Sequence, residues 1–118
     1  MILGLEFSEL KPMGFKSLVT KHRVYFSSTH DTPTLLGYLN VLSHQQRLVM
    51  AKVFGVEENI PESLAIEILK VMKENCPHLM VAMQDWIGSK RRINEPGKVN
   101  RRNWNYLMEA PVEKLPNI

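Results

Sequence analysis

The residues of this chain best suited to chemistry are His30 and Asp31, inside the stretch VYFSSTHDTPTLLGY that runs from Val24 to Tyr38. The stretch reads as a short apolar strand that stops on a polar pair, followed by a turn and a helix start. In parallel α/β folds functional residues sit at the carboxyl ends of strands. A carboxylate there can hold a pair of sugar hydroxyls or stabilise an oxocarbenium ion, and a neutral imidazole can bond the neighbouring hydroxyl. The bland alternative is that Asp31 merely caps the helix that follows. Asp85 is a second carboxylate placed just past an apolar run, LMVAM. If the two runs are neighbouring strands their ends lie about 5 Å apart. Carboxyl groups about 5–5.5 Å apart suit a retaining glycosidase, and a wider gap an inverting one. Asp85 can equally be a structural acceptor for loop amides.

A third cluster is the stretch KRRINEPGKVNRRNW, with Lys90, Arg91, Arg92, Lys98, Arg101 and Arg102 ahead of Trp104 and Tyr106. Basic residues interleaved with aromatics could bind a single-stranded nucleic acid by phosphate contact and stacking. The same rings could stack on sugars while Arg92 and Asn94 bond hydroxyls, or the loop could be simply solvated. Other chemistry lacks support. His22, His44 and His78 with Cys76 do not show metal-ligand spacing, and no phosphate loop, GxGxxG or nucleophile elbow occurs. No metal and no cofactor are expected.

The elements that must position these groups alternate between apolar runs and helical patterns. Residues 1–7, MILGLEF, suit a buried strand and residues 8–22 a loop. Residues 23–28 form the second expected strand. Thr32 is placed to cap the next helix, with Pro33 at its first position, and Leu35, Leu36 and Leu39 form its apolar face. Ser43 and Gln46 have capping-box spacing ahead of a helix that Gly55 stops. Asn59-Ile60-Pro61-Glu62 is expected to open another helix in the same way. Leu64, Ala65, Ile68, Leu69 and Met72 recur along it at helical spacing, and Pro77 ends it. Residues 79–83 are the third expected strand. Residues 87–97 read as loop, 103–107 as a short aromatic segment, and 109–118, with two prolines, as a tail.

Strands this far apart are expected to be parallel. The 118 residues make one domain at most and are fewer than the roughly 250 of an ordinary α/β barrel. With 44% apolar and 23% charged residues the composition is that of a soluble globular protein, and a net charge of +3 does not by itself call for nucleic acid. A single cysteine, Cys76, excludes an internal disulfide and fits a reducing compartment. The N-terminus shows no signal-peptide pattern, and no run approaches the roughly 20 apolar residues of a membrane span. A cytoplasmic protein without membrane contact is expected.

Three segments in order carry a resemblance. Thr29-His30-Asp31 with Thr34, Gly37 and Tyr38 resembles the THD-x-x-T-x-x-G-[WY] segment of the 4-α-glucanotransferases, the amylomaltase or disproportionating-enzyme family. Arg92-Ile93-Asn94-Glu95-Pro96-Gly97 resembles that family's R-x-N-x-P-G loop, and Asn103-Trp104-Asn105-Tyr106 its N-W-x-[WY]. Gln84-Asp85 falls where the family has Q-D at the end of its last barrel strand. Leu107 departs from the Arg that often follows the N-W-x-[WY]. The resemblance covers about residues 3 to 115.

It implies a fold: the C-terminal portion of a TIM-type (β/α) barrel, about three strands with the closing helices, taking in residues 1–118 as one partial barrel domain. It implies a reaction: transfer of α-1,4-glucan segments by a retaining, covalent mechanism without a cofactor. The family's nucleophile and acid/base lie on earlier strands and have no match here, so the chain is expected to be an inactive fragment when alone. Asp31 is implied as the transition-state stabiliser and His30 as its hydroxyl-binding neighbour. Asn94, with Arg92 and Trp104, is implied to contact substrate. The implied partners are α-1,4-glucans, maltooligosaccharides and the missing N-terminal barrel portion. Nucleic acid is not the expected partner. The rival reading is a non-catalytic glucan- or nucleic-acid-binding module.

Overall fold

A computed structural model describes residues 15, 19–57, 59–108 and 111–116. Its elements in order are strand β1 (Tyr25–Phe26), helix α1 (Leu35–Val41), helix α2 (His44–Phe54), helix α3 (Pro61–Asn75), strand β2 (Leu79–Met80), helix α4 (Met83–Trp86) and a 3-10 turn at Val112–Lys114. The two strands pair in parallel, Tyr25 opposite Leu79 and Phe26 opposite Met80. The chain crosses from one to the other through three helices, as a parallel pair requires. The α/β class and the parallel pairing expected from the sequence are therefore present.

Several boundaries differ from expectation. Both strands are only two residues long, not the spans 23–28 and 79–83. Residues 83–86 are helix, because the Asp85 and Trp86 amides donate to the Ala82 carbonyl at 3.0 and 3.1 Å and so leave the extended chain. The strand expected at residues 1–7 lies outside the described residues. Phe15, expected in a loop, is helical.

Local signals set the helices. Ser43 and Gln46 form the complete capping box. Ser43 Oγ accepts from the Gln46 N–H at 3.2 Å, and Gln46 Oε1 accepts from the Ser43 N–H at 2.8 Å. Gly55 closes α2 in the left-handed region at φ 71°, where a Cβ would be strained. Ser43→Ala removes the Oγ side of the box and leaves only the Gln46 side chain accepting from the backbone N–H of position 43. It should lower the unfolding free energy by about 1 kcal/mol, read as a shift in denaturant midpoint at constant slope. Helix α3 opens differently from α2. Ile60, not Asn59, is its N-cap, no side chain caps it, and Pro61 occupies the first turn. The proline lacks the N–H that would otherwise be unpaired, so a polar cap is less needed there.

The core lies between α1, α2, α3 and β1. Leu39, Met50, Leu64 and Ile68 are fully buried in it. The expected apolar faces, Leu35, Leu36 and Leu39 on α1 and Leu64 to Met72 on α3, are the faces that meet there. Phe15 stacks on Phe54 with ring centroids 4.7 Å apart and meets Tyr25 edge-on at 6.3 Å. This packing anchors β1 and so fixes where the chain emerges towards His30. Cys76 is buried at the end of α3, and burial pushes its thiol up to about 11, which leaves it a small apolar filler rather than a nucleophile.

Candidate functional site

The site begins where β1 ends. Ser27 and Ser28 leave the strand buried, and both hydroxyls donate to Asp85 Oδ2 at 2.5 Å. The other oxygen, Asp85 Oδ1, accepts from the Leu35 N–H at 2.6 Å. One buried carboxylate thus ties the end of β1 to the first turn of α1, close to where β2 also ends. Thr34 completes that turn as the N-cap, its Oγ1 accepting from the Gly37 N–H at 3.1 Å. Gly37 is needed for this approach. A Cβ built there would stand 3.1 Å from Thr34 Oγ1 and 3.6 Å from the Lys90 carbonyl.

The sequence placed the cap at Thr32 and the first helical position at Pro33. Thr32 instead holds the turn below, its Oγ1 accepting from the Thr29 N–H at 2.9 Å. The alternative that Asp31 caps the helix also fails, since Thr34 and Asp85 satisfy that terminus. Nor do Asp31 and Asp85 form a reacting pair. Asp85 is 3% exposed with both oxygens occupied, whereas the Asp31 side chain is 55% exposed. Asp85 fits the structural reading: it is an acceptor for hydroxyls and an amide.

Between these fixed ends the residues Thr29 to Thr32 form a turn that lifts His30 and Asp31 out of the interior. Asp31 Oδ2 lies 3.0 Å from His30 Nε2. Asp31 Oδ1 accepts from the Asn94 side-chain amide at 3.0 Å, and the Asp31 carbonyl accepts from the Arg92 guanidinium at 3.0 Å. Arg92 also donates from Nε to the Asn94 carbonyl at 3.1 Å, so the loop is cross-braced onto the turn. The Trp104 ring lies tilted over His30 with centroids 5.0 Å apart.

Trp104 is 65% exposed and its backbone is left-handed at φ 59°, the single non-glycine residue with positive φ among those described. A bulky residue rarely accepts that conformation. It is held by the Trp104 N–H donating to the Ile93 carbonyl at 2.5 Å. Gly97, at φ 77°, gives the R-x-N-x-P-G loop its reversal. Nearby, the Arg91 guanidinium lies 5.6 Å from the centre of the Tyr106 ring.

Part of this constellation rims a cavity of about 330 Å³. Phe26, Met80 and Val81 from the strand ends give it an apolar floor, and His30, Arg92 and Trp104 give it polar and aromatic walls. Gln84, buried at 5% exposure, also lines it. The structure therefore brings His30, Asp31, Arg92, Asn94 and Trp104 into one constellation, although more than 60 residues separate Asp31 from Asn94. Sequence reasoning missed Ser27 and Ser28. Two serines closing a strand, with a distant aspartate, carry no local signal that they will meet. Among the described residues no three His, Cys, Asp or Glu side chains group as metal ligands, and no helix is long and apolar enough to cross a membrane.

An apolar-floored cleft walled by an imidazole, a guanidinium and an exposed indole, with the Asp31 carboxylate and the Asn94 amide bonded beside it, matches what a sugar ring presents: hydroxyls at its edge and C–H groups on its face. Residues 1–112 match the family model for 4-alpha-glucanotransferase. The chain belongs to the 4-alpha-glucanotransferase family. It is 29% identical over 96 residues to the 4-alpha-glucanotransferase of Aquifex aeolicus (strain VF5), an overlap that takes in 77% of this chain and 19% of that relative. Its fold is similar to that of the amylomaltase from Streptococcus agalactiae, solved in complex with acarbose. The TM-score is 0.75 over 91% of this chain and 22% of that one, at 20% identity. The chain thus spans about a fifth of the length of the glucanotransferases it matches. The THD, R-x-N-x-P-G and N-W-N-Y segments all fall within the part that the family model matches.

Proposed function

We propose that this chain supplies the sugar-binding, charge-stabilising part of a 4-alpha-glucanotransferase site, in the C-terminal portion of a (β/α) barrel. The observation that carries the reading is the bracing of one exposed carboxylate, Asp31, by His30 and Asn94 beneath a strained aromatic, Trp104. Backbone strain persists only where surroundings enforce it, and it concentrates at functional sites. Trp104 offers a flat apolar face to a glucose ring. Asp31 then meets two adjacent hydroxyls of that ring, with His30 and Asn94 holding its oxygens in place.

In a retaining transfer a nucleophile carboxylate attacks the anomeric carbon while an acid protonates the leaving oxygen; a second sugar then takes the glycosyl group. Positive charge develops on the ring at each step, and a fixed carboxylate beside it lowers both barriers. Asp31 takes that part. The nucleophile and acid/base come from the rest of the barrel. The substrates are α-1,4-glucans and maltooligosaccharides, no cofactor is required, and the compartment is the cytoplasm.

Solvent exposure supports the requirement for the rest of the barrel. At 55% exposure Asp31 faces water, where charge–charge stabilisation is weak. Enclosure by further barrel elements would dry the site and strengthen it. Calorimetric titration tests the binding half of the proposal. Maltotriose should bind the chain, and Trp104→Ala should weaken that binding by roughly five- to tenfold, the loss of about 1 kcal/mol of ring stacking. Failure of maltotriose to bind would remove the glucan reading. The chain alone should not disproportionate maltotriose, and robust turnover by it would overturn the need for the rest of the barrel.

A further inference from the structure

A second cavity, of about 270 Å³, is lined by the R-x-N-x-P-G loop and the basic residues that flank it. Lys90, Arg91, Arg92 and Arg102 line it, with Asn94 and a single carboxylate, Glu95. Glu95 is already engaged, its Oε2 lying 3.2 Å from Lys98 Nζ. Lys90 and Arg102 have no side-chain partner among the described residues. The cavity therefore concentrates cationic charge that the protein itself does not neutralise. A neutral glucan needs no such charge. The cavity shares Arg92 and Asn94 with the Asp31 site, where Asn94 Nδ2 is 3.0 Å from Asp31 Oδ1 and Arg92 is 3.0 Å from the Asp31 carbonyl. The two cavities thus share a wall at Arg92, and Asn94 joins the second of them to Asp31.

We propose that this cavity is an anion subsite that receives the phosphate monoester of a phosphorylated glucose unit bound beside Asp31. Arg92 is the hinge between the two cavities. Its guanidinium is pinned by the Asp31 and Asn94 carbonyls, so its charge is fixed before any ligand arrives. Arg91 is likewise held, against the Tyr106 ring and the Asn105 carbonyl. Guanidinium groups match phosphate oxygens by paired N–H donors, and the ammonium of Lys90 adds a compact charge. Two fixed and two free cations around one cavity give a site that is partly preformed and closes on its ligand. The inference rests on the glucan reading for the sugar, but not for the anion.

The test compares maltose, maltose 6′-phosphate, inorganic phosphate and a single-stranded oligonucleotide, titrated calorimetrically into the full chain and into a Lys90→Gln/Arg102→Gln double variant. Both replaced side chains are exposed, so folding is expected to be kept, with circular dichroism as the check. The phosphorylated sugar should bind about tenfold more tightly than maltose at low salt, with the gap narrowing as salt is added. The double variant should close the gap and leave maltose affinity unchanged. Equal affinity for the two sugars in the unaltered chain would overturn the proposal, as would a tighter, steeply salt-dependent hold on the oligonucleotide. Should inorganic phosphate bind and lose its affinity in the double variant while neither sugar binds, the anion site stands and the glucan reading falls.

Discussion

Replacing Asp85 by alanine is expected to lower the unfolding free energy by about 3 kcal/mol or more, the largest effect expected of any single polar substitution among the described residues. The carboxylate accepts the Ser27 and Ser28 hydroxyls and the Leu35 N–H, and it is 3% exposed. Truncation strands all three donors in the interior. Each hydrogen bond to a charged acceptor is worth about 1.5–3 kcal/mol, and an unpaired buried donor adds its own desolvation penalty. The losses do not simply add, because the serine hydroxyls can turn towards other acceptors. Asp85→Asn should cost less. Its amide oxygen can still accept from Leu35, while its NH2 can donate to a serine oxygen. Urea unfolding followed by circular dichroism, with the midpoints compared at constant slope, measures both variants. A loss below 1 kcal/mol for Asp85→Ala would show that the three donors find water or other partners. The same variant should loosen the turn that carries His30 and Asp31, since both of its anchors end on Asp85.

The second large effect belongs to Asp31 and is on rate rather than stability. This chain can replace the matching segment of the Aquifex aeolicus 4-alpha-glucanotransferase, where the overlap is 96 residues. In that chimera Asp31→Asn should cut maltooligosaccharide transfer by roughly 10²–10³-fold, as removal of one preorganised group that stabilises developing charge does elsewhere. Asparagine keeps the shape and one acceptor oxygen, so what is lost is the negative charge that we propose stands beside the oxocarbenium-like sugar. The effect should fall on kcat more than on KM, because the charge is felt most in the transition state. Stability should hardly change. The Asp31 side chain is 55% exposed and its hydrogen bonds are to exposed partners. Initial rates of maltotriose disproportionation together with thermal midpoints separate the two. A tenfold or smaller loss of rate would leave Asp31 as a substrate contact without a stabilising part.

The two aspartates invert what proximity to a strand end suggests. Each follows an apolar run, and in the one-dimensional sequence each could be the catalytic group or the cap. In the fold, Asp85 turns inward because three donors await it there. Asp31 stays outward because it sits at the tip of the Thr29–Thr32 turn, which Thr32 Oγ1 closes by accepting from the Thr29 N–H. The assignment rests on whether each carboxylate meets buried donors or solvent, and spacing along the chain carries no such information.

Other features were written locally. Ser43 and Gln46 specify a helix start three residues apart, and Gly55 specifies its stop through a backbone conformation that other residues resist. Pro77 ends α3 through a clash with its own neighbour, and the α3 stripe from Leu64 to Met72 marks the face that is buried. These signals act over one helical turn, so the chain needs no tertiary contact to express them. The ordered motifs around Thr29, Arg92 and Asn103 also carry the family resemblance, since order and type of residue survive without geometry.

Tertiary structure alone decided the rest. It shortened the strands to two residues each, since a residue counts as strand only where a partner lies beside it, and it turned the end of the LMVAM run into the start of α4. It chose Thr34 and Asp85 over Thr32 and Asp31 at the start of α1. It carried Asn94, Arg92 and Trp104 across more than 60 residues to Asp31 and His30, and it forced Trp104 into a left-handed backbone to bring its ring there. The physical reason is range. Caps, stops and amphipathic faces are set by atoms within four residues of each other, whereas the site is made by hydrogen bonds whose partners meet only after the helices have packed.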